Sequence, residues 1–301
     1  PGIGMLLTMR MVQGFGAGAA AVLGRAVIRD LFDGAQMARI LSLALAAFIT
    51  APVVAPSIGA IILAWLSWRW IFAFLLFYGA LLLVIAWRFL DESLKERHPD
   101  ALKPTRVLKG LAAIFTDAAS RPWSFVSILV FCALSIYLTN SSAVLMSGLG
   151  MSSTEFGLAF AVIALFSSAG NILNSRLTRS YPLARIILAA LIAAVALAAV
   201  NLVLGRYAVG GPWGLVVSVG IFFVTFGPVV ANSTSLAVQP HGKQVGVASS
   251  ALGFSQTAIP ALIGGGVAML FNGTAVPMLT AILLCVSGAL AVAFVATRRT
   301  S

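Results

Sequence analysis

The chain has 301 residues, of which 60% are hydrophobic and only 9% charged, with a mean hydropathy of +1.05 and a net charge of +11. Soluble domains carry about 25% charged residues, so this composition excludes a soluble domain. It predicts an all-α, polytopic helical membrane protein.

Nine apolar stretches approach the roughly 20 residues that a spanning helix needs. They lie at about 2–27, 37–65, 70–90, 122–146, 155–175, 183–205, 212–238, 245–271 and 275–297. The basic residues between them sort by side. One side receives Arg25, Arg29, Arg39, Arg88, Lys95, Arg97, Lys103, Arg106, Lys109, Arg121, Arg176, Arg179, Arg185, Lys243, Arg298 and Arg299. The other receives Arg69 and Arg206. The positive-inside rule makes the first side cytoplasmic, with Pro1 outside and Ser301 inside. The basic excess is therefore a topology signal, and nucleic acid is not an expected partner.

The first span reads Arg10-Met11-Val12-Gln13-Gly14-Phe15-Gly16-Ala17-Gly18. An arginine far from either helix end costs roughly 3 kcal/mol or more at the bilayer centre, and it marks a functional position. Arg10 and Gln13 are three apart and share a helix face. Gly14 and Gly18 are four apart, which permits close approach of another helix. The eight acidic residues (Asp30, Asp33, Asp91, Glu92, Glu96, Asp100, Asp117 and Glu155) all fall in loops or at predicted helix ends. None of them is a mid-membrane partner for Arg10.

The pattern R-x-x-Q-G-x-G-A resembles the fourth-helix motif of the major facilitator superfamily. In that family the arginine is implicated in proton transfer with acidic residues elsewhere in the N-terminal half. The resemblance implies a proton-coupling role for Arg10 and Gln13, with a carboxylate that this chain lacks. The second span carries Ala51-Pro52-Val53-Val54-Ala55-Pro56-Ser57-Ile58-Gly59-Ala60. It is similar to the family's fifth-helix antiporter motif, G-x-x-x-G-P-x-x-G-G, with alanine at 51, 55 and 60 where glycine is usual. Proline kinks a helix and small residues admit a facing one, so Pro52, Pro56 and Gly59 keep the physical requirement. The motif implies a seal against ion leak and marks exporters.

Trp68-Arg69-Trp70-Ile71-Phe72 opens the third span, and Asp91-Glu92-Ser93-Leu94 closes it. Both resemble the sixth-helix borders of drug:proton antiporters. The polar segment 91–121 follows, with Pro99 and Pro104. Its Leu102, Val107, Leu108, Leu111, Ile114 and Phe115 recur at helical spacing, which predicts an amphipathic helix along the membrane surface. The expected organisation is thus residues 1–90 with three spans, a cytoplasmic linker over 91–121, and a six-helix half over 122–301. Transporters of this kind are built from three-span repeats. The arrangement therefore predicts three further spans upstream, with these nine as the last of twelve.

Ser153-Thr154-Glu155-Phe156-Gly157-Leu158-Ala159-Phe160 and Gly170-Asn171-Ile172-Leu173-Asn174 resemble the eighth helix of the bicyclomycin/chloramphenicol-resistance branch of the family. So does Asn232 to Gln256, with Pro240, Gly246, Ala248, Ser249 and Gly253. The loop from Arg176 to Arg185 departs from the family's glycine- and aspartate-bearing gating loop. Glu155, in a first helical turn behind Ser and Thr, is expected to cap its helix and not to carry protons.

Polar and aromatic residues within spans outline an expected substrate cavity: Tyr137, Asn140, Ser141 and Ser142, then Asn171, then Phe226, Asn232 and Thr234, and Gln256. Asn174 lies near a helix end and reads as structural. Inter-helix hydrogen bonding is the competing role for each, because a polar group in lipid needs an internal partner. As a set without fixed charge they suit neutral or weakly polar drug-like molecules. Cys132 and Cys285 read as packing residues, and His98 and His241 as solvated loop residues. Gly264-Gly265-Gly266 reads as close packing. The residues contain no metal-ligand spacing, nucleotide loop or catalytic set, so neither an enzyme nor a cofactor is expected.

The resemblance implies a monomeric, multi-pass inner-membrane exporter that exchanges small drug-like molecules for protons by alternating access. The alternatives are export of a small metabolite such as a sugar or amino acid, and a truncated remnant that moves nothing.

Overall fold

The structure is a computed structural model that describes residues 2–32, 36, 40, 44, 55, 58–59, 61–90, 92, 112 and 114–300. Regular structure among them is helical throughout. The chain divides into two compact units, one of Pro1–Ala55 with Ser67–Pro99, the other of Pro56–Leu66 with Asp100–Ser301.

The first unit contains α1 (Ile3–Leu31) and α2 (Arg69–Phe89). Its described helices expose Leu, Ile, Phe and Trp side chains along their lengths. Much of the expected second span, including Pro52 and Pro56, lies outside the described residues. Gly59 is helical, and no described atom lies within 4 Å of where its Cβ would stand.

The second unit is a bundle of α3 (Ser120–Ser142, prolonged by a π-helical turn over Ala143–Gly148), α4 (Ser153–Leu177), α5 (Leu183–Tyr207), α6 (Gly211–Phe223), α7 (Phe226–Val238), α8 (Val245–Ala268) and α9 (Val276–Thr300). The chain is thus an all-α, polytopic membrane protein. Among the described residues, seven helices are long and apolar enough to cross a membrane: α2, and six in the second unit, with α6 and α7 forming one traverse over Gly211–His241.

Local sequence sets the helix ends. Ser152 caps α4: its hydroxyl accepts from the Glu155 amide, and the Glu155 carboxylate accepts from the Ser152 amide at 2.8 Å. This reciprocal pair satisfies two otherwise orphaned amides, so Glu155 serves as a cap. The turn from α5 into α6 uses left-handed Ala208 and Gly210, followed by Pro212 in the first turn of α6. Between α6 and α7 the cause of the break is Pro228. Proline has no N–H, so the carbonyl of Val224, four residues earlier, loses its helical partner. The helix is interrupted at Val224 and Thr225 and resumes with Val229 N–H donating to the Thr225 carbonyl.

α3 is the hub of this unit and packs on α7, α8 and α9, while α4 packs on α6 and α7. Two cores result. One gathers Ile136, Tyr137, Phe160, Leu215, Phe222, Phe223, Leu279 and Ile282. The other gathers Trp123, Val126, Ile128, Cys132, Ile187, Leu191, Leu252 and Ala293. In lipid these contacts stabilise by packing, since lipid tails are as apolar as the side chains. Ile114 is fully buried in the second core and Phe115 packs against it. Helical periodicity marks an apolar face but not what covers it. Leu102, Val107, Leu108 and Leu111 lie outside the described residues.

The α3–α8 crossing shows what the glycine run does. A Cβ on Gly264 would lie 2.9 Å from Ser135 Oγ and 3.0 Å from Thr139 Oγ1. Gly265 and Gly266 face open space. Close packing thus rests on Gly264 alone.

Candidate functional site

In the first unit Arg10 Nη1 donates to Gln13 Oε1 at 2.8 Å. The two residues are one turn apart on α1, where side chains meet. The guanidinium carbon sits 5.9 Å from the centroid of the Phe72 ring on α2. Such a cation–π contact contributes about 0.5–1 kcal/mol at an exposed site. Arg10, Gln13 and Phe72 line a groove between α1 and α2, floored by small Gly79 and Ala80. One guanidinium N–H is satisfied by Gln13, and the remaining donors are available to an anionic or polar group entering the groove. Gly14 and Gly18 have no described atom within 4 Å of their Cβ positions.

In the second unit, a polar triad joins three helices. Gln256 Nε2 on α8 donates to Ser127 Oγ on α3 and to Thr234 Oγ1 on α7, the latter at 3.1 Å. Ser127 and Thr234 lie 3.1 Å apart. Ser127 is buried, whereas Thr234 and Gln256 are half-buried. One turn along α3 from Ser127, Phe131 meets Phe226 edge to face at 5.8 Å, and Phe226 lies two turns from Thr234 on α7. A half-open patch of amide, hydroxyl and aromatic edges is the result, without a fixed charge.

The other expected cavity residues are placed differently. Asn140 is buried, and its amide donates to the Ile136 and Gly264 carbonyls at 2.8 and 3.3 Å, which locks the α3–α8 crossing. Asn232 is buried with its amide donating to Asn174 Oδ1 and to the Pro228 carbonyl, both at 2.8 Å. Asn171 packs its side chain over Gly227, where a Cβ would be 2.3 Å from Asn171 Oδ1. These contacts tie α4 to α7 beside the break, and they are the inter-helix bonds that polar groups in lipid require. Tyr137 is 3% exposed among Phe160 and Phe223, and its hydroxyl has no hydrogen-bond partner among the described residues. Ser141 is buried, with its hydroxyl turned to the Leu138 carbonyl, and Ser142 is exposed.

Sequence reasoning missed Ser127 and Phe131; their spacing of four, on one face of α3, was the available signal. It also missed a bond at the start of α3. Ser120 Oγ donates to the Ala237 carbonyl, and His241 Nε2 lies 3.1 Å from the same hydroxyl. A serine hydroxyl has one proton, so the imidazole Nε2 must carry its own and donate it. His241 is therefore a half-buried strut and not a solvated loop residue; His98 lies outside the described residues.

The Major Facilitator Superfamily model matches residues 1–265. The chain belongs to that superfamily, a family of transporters. It is 29% identical to the "Uncharacterized MFS-type transporter YdgK" of Bacillus subtilis, covering 92% of this chain and 69% of that protein. It is 28% identical to the "Bicyclomycin resistance protein homolog" of Haemophilus influenzae, covering 94% of this chain and 71% of that protein. It is also 28% identical to the "Multidrug resistance protein MdtL" of Shewanella oneidensis, covering 86% of this chain and 64% of that protein. The chain spans about two thirds of the length of these relatives.

Proposed function

We propose that the chain is the greater part of a proton-coupled exporter of small, neutral or weakly polar drug-like molecules. In this reading it sits in the inner membrane with its C-terminus cytoplasmic, and 122–301 forms the C-terminal half. The observation that carries the coupling is the Arg10–Gln13 pair in the α1–α2 groove. A guanidinium favours the charged form of a carboxylate brought beside it. Gln13 holds the guanidinium by one hydrogen bond and leaves its other donors aimed at that carboxylate. Protonation of the carboxylate releases the pair, and drug and proton then compete for the same conformational cycle. Rocking of two halves about a midplane cavity is the expected motion. The uncharged patch of Gln256, Thr234, Phe131 and Phe226 supports the substrate class: it offers stacking and hydrogen bonds without a counter-ion. The names carried by the Haemophilus and Shewanella relatives support the same class.

A dye-efflux assay tests this in cells stripped of other pumps and expressing the protein that carries this chain. Lipophilic dye should be exported, and a protonophore should reduce export to the background of empty-vector cells. Export that survives the protonophore rejects proton coupling. No export of any dye, with movement of a sugar or amino acid, moves the reading to a metabolite exporter.

A further inference from the structure

The chain has two cysteines, and both are free thiols in the second unit. Cys132 lies on α3 and Cys285 on α9, and three contacts fix how these helices run. Arg121 and Phe125 share a groove with Val292 and Ala296. Further along α3, a Cβ on Gly288 would stand 3.6 Å from Leu129 Cδ1. Beyond the end of α3, a Cβ on Gly148 would stand 2.9 Å from the Gly273 carbonyl. Numbers rise along one helix as they fall along the other, so the pair is antiparallel. Three residues on from Leu129 is Cys132, and three back from Gly288 is Cys285. A step of three keeps a side chain on the same face, so the two thiols face one another one turn from the Leu129–Gly288 contact. Both pack against the same apolar cluster, where Cys132 is 0% exposed. They are close enough for a charge on one to act on the other.

We propose that Cys132 and Cys285 form a two-thiol site for a divalent, two-coordinate thiophilic cation of the mercuric type. Among the described residues no group of three or more His, Cys, Asp or Glu side chains could hold a metal ion, so the site offers two ligands. Zinc needs four. Charge then selects among two-coordinate ions. A divalent ion with two thiolates is neutral, whereas a monovalent ion such as Cu(I) would leave a net negative charge in an apolar interior, which is costly. The reaction is balanced without a redox step: two S–H and two mercury–chloride bonds break, two S–metal bonds form, and two protons and two chlorides pass to the buffer. Neutral mercuric chloride can cross lipid to reach the thiols.

The test loads the purified, detergent-solubilised protein with one equivalent of mercuric chloride. It is then passed through buffer containing excess monothiol, and the retained mercury is counted. Two sulfurs on one ion resist exchange because the second bond is intramolecular. The wild-type chain should retain one mercury per protein, while Cys132→Ser and Cys285→Ser each retain at least tenfold less. Before the monothiol wash, N-ethylmaleimide added after denaturation should find no free thiol in the wild type. Mercury lost from the wild type as readily as from either variant would overturn the proposal, as would two independent mercury ions per chain. Elution volumes equal to wild type show that the serine variants have folded.

Discussion

Gly170→Val should lower the melting temperature of the purified protein by about 6–12 °C, the equivalent of about 3 kcal/mol. A Cβ at Gly170 would stand 2.1 Å from the carbonyl oxygen of Val224 and 2.8 Å from its carbon. Both are backbone atoms and cannot rotate aside. The oxygen is there because Pro228 denies it a helical donor, so it turns out of the α6–α7 traverse toward α4. Only a glycine lets α4 come so near, and the approach also brings Asn174 within reach of Asn232. Adding an isopropyl group forces the helices apart and strips that hydrogen bond as well. Gly265→Val is the matched control, because nothing lies within 4 Å of its Cβ position. Thermal unfolding in detergent checks the pair; equal melting temperatures for the two variants would show that the close approach carries no stability.

Arg10→Ala should sharply reduce proton-driven efflux while leaving expression and membrane insertion near wild type. The change removes the Gln13 hydrogen bond and the contact with Phe72. Neither is worth more than about 1 kcal/mol to stability at an exposed position, so folding is largely spared. The coupling effect is larger. Each unit by which the guanidinium holds down a neighbouring carboxyl is a tenfold change in its charged population, and one to three units is the usual reach of such a pair. A loss of transport of about tenfold or more is expected. Arg10→Lys keeps the charge but loses the planar fork, and it should fall between the two. Initial rates of drug export, normalised to protein in the membrane, decide this. Unchanged rates in Arg10→Ala would remove Arg10 from the coupling machinery.

Much of the architecture was legible because lipid imposes a length and a polarity on every crossing. The six spans after the linker, the Arg10–Gln13 face and the capping role of Glu155 all follow from spacing and chemistry on one helix. Features that depend on a second helix were not legible. Asn140 and Asn232 could be cavity or crossing residues, because a polar side chain in lipid needs a partner in either role. In the structure Asn140 bonds the Gly264 carbonyl and Asn232 bonds Asn174 Oδ1, each on another helix. The break at Val224 and Thr225 was signalled by Gly227-Pro228, but the unbroken apolar run around it reads as one span. Ile114 and Phe115 showed an apolar face that suits a membrane surface as well as a protein core. The facing of Cys132 and Cys285 depends on an antiparallel register that composition cannot supply.

The central claim is that drug movement and proton movement are one process. The most direct measurement places the protein that carries this chain in sealed liposomes with an imposed pH gradient and a pH-sensitive dye inside. Adding a transported drug should collapse the gradient faster than in empty liposomes, and Arg10→Ala should remove the acceleration. Drug that crosses at the wild-type rate with no change in the pH gradient would contradict the account.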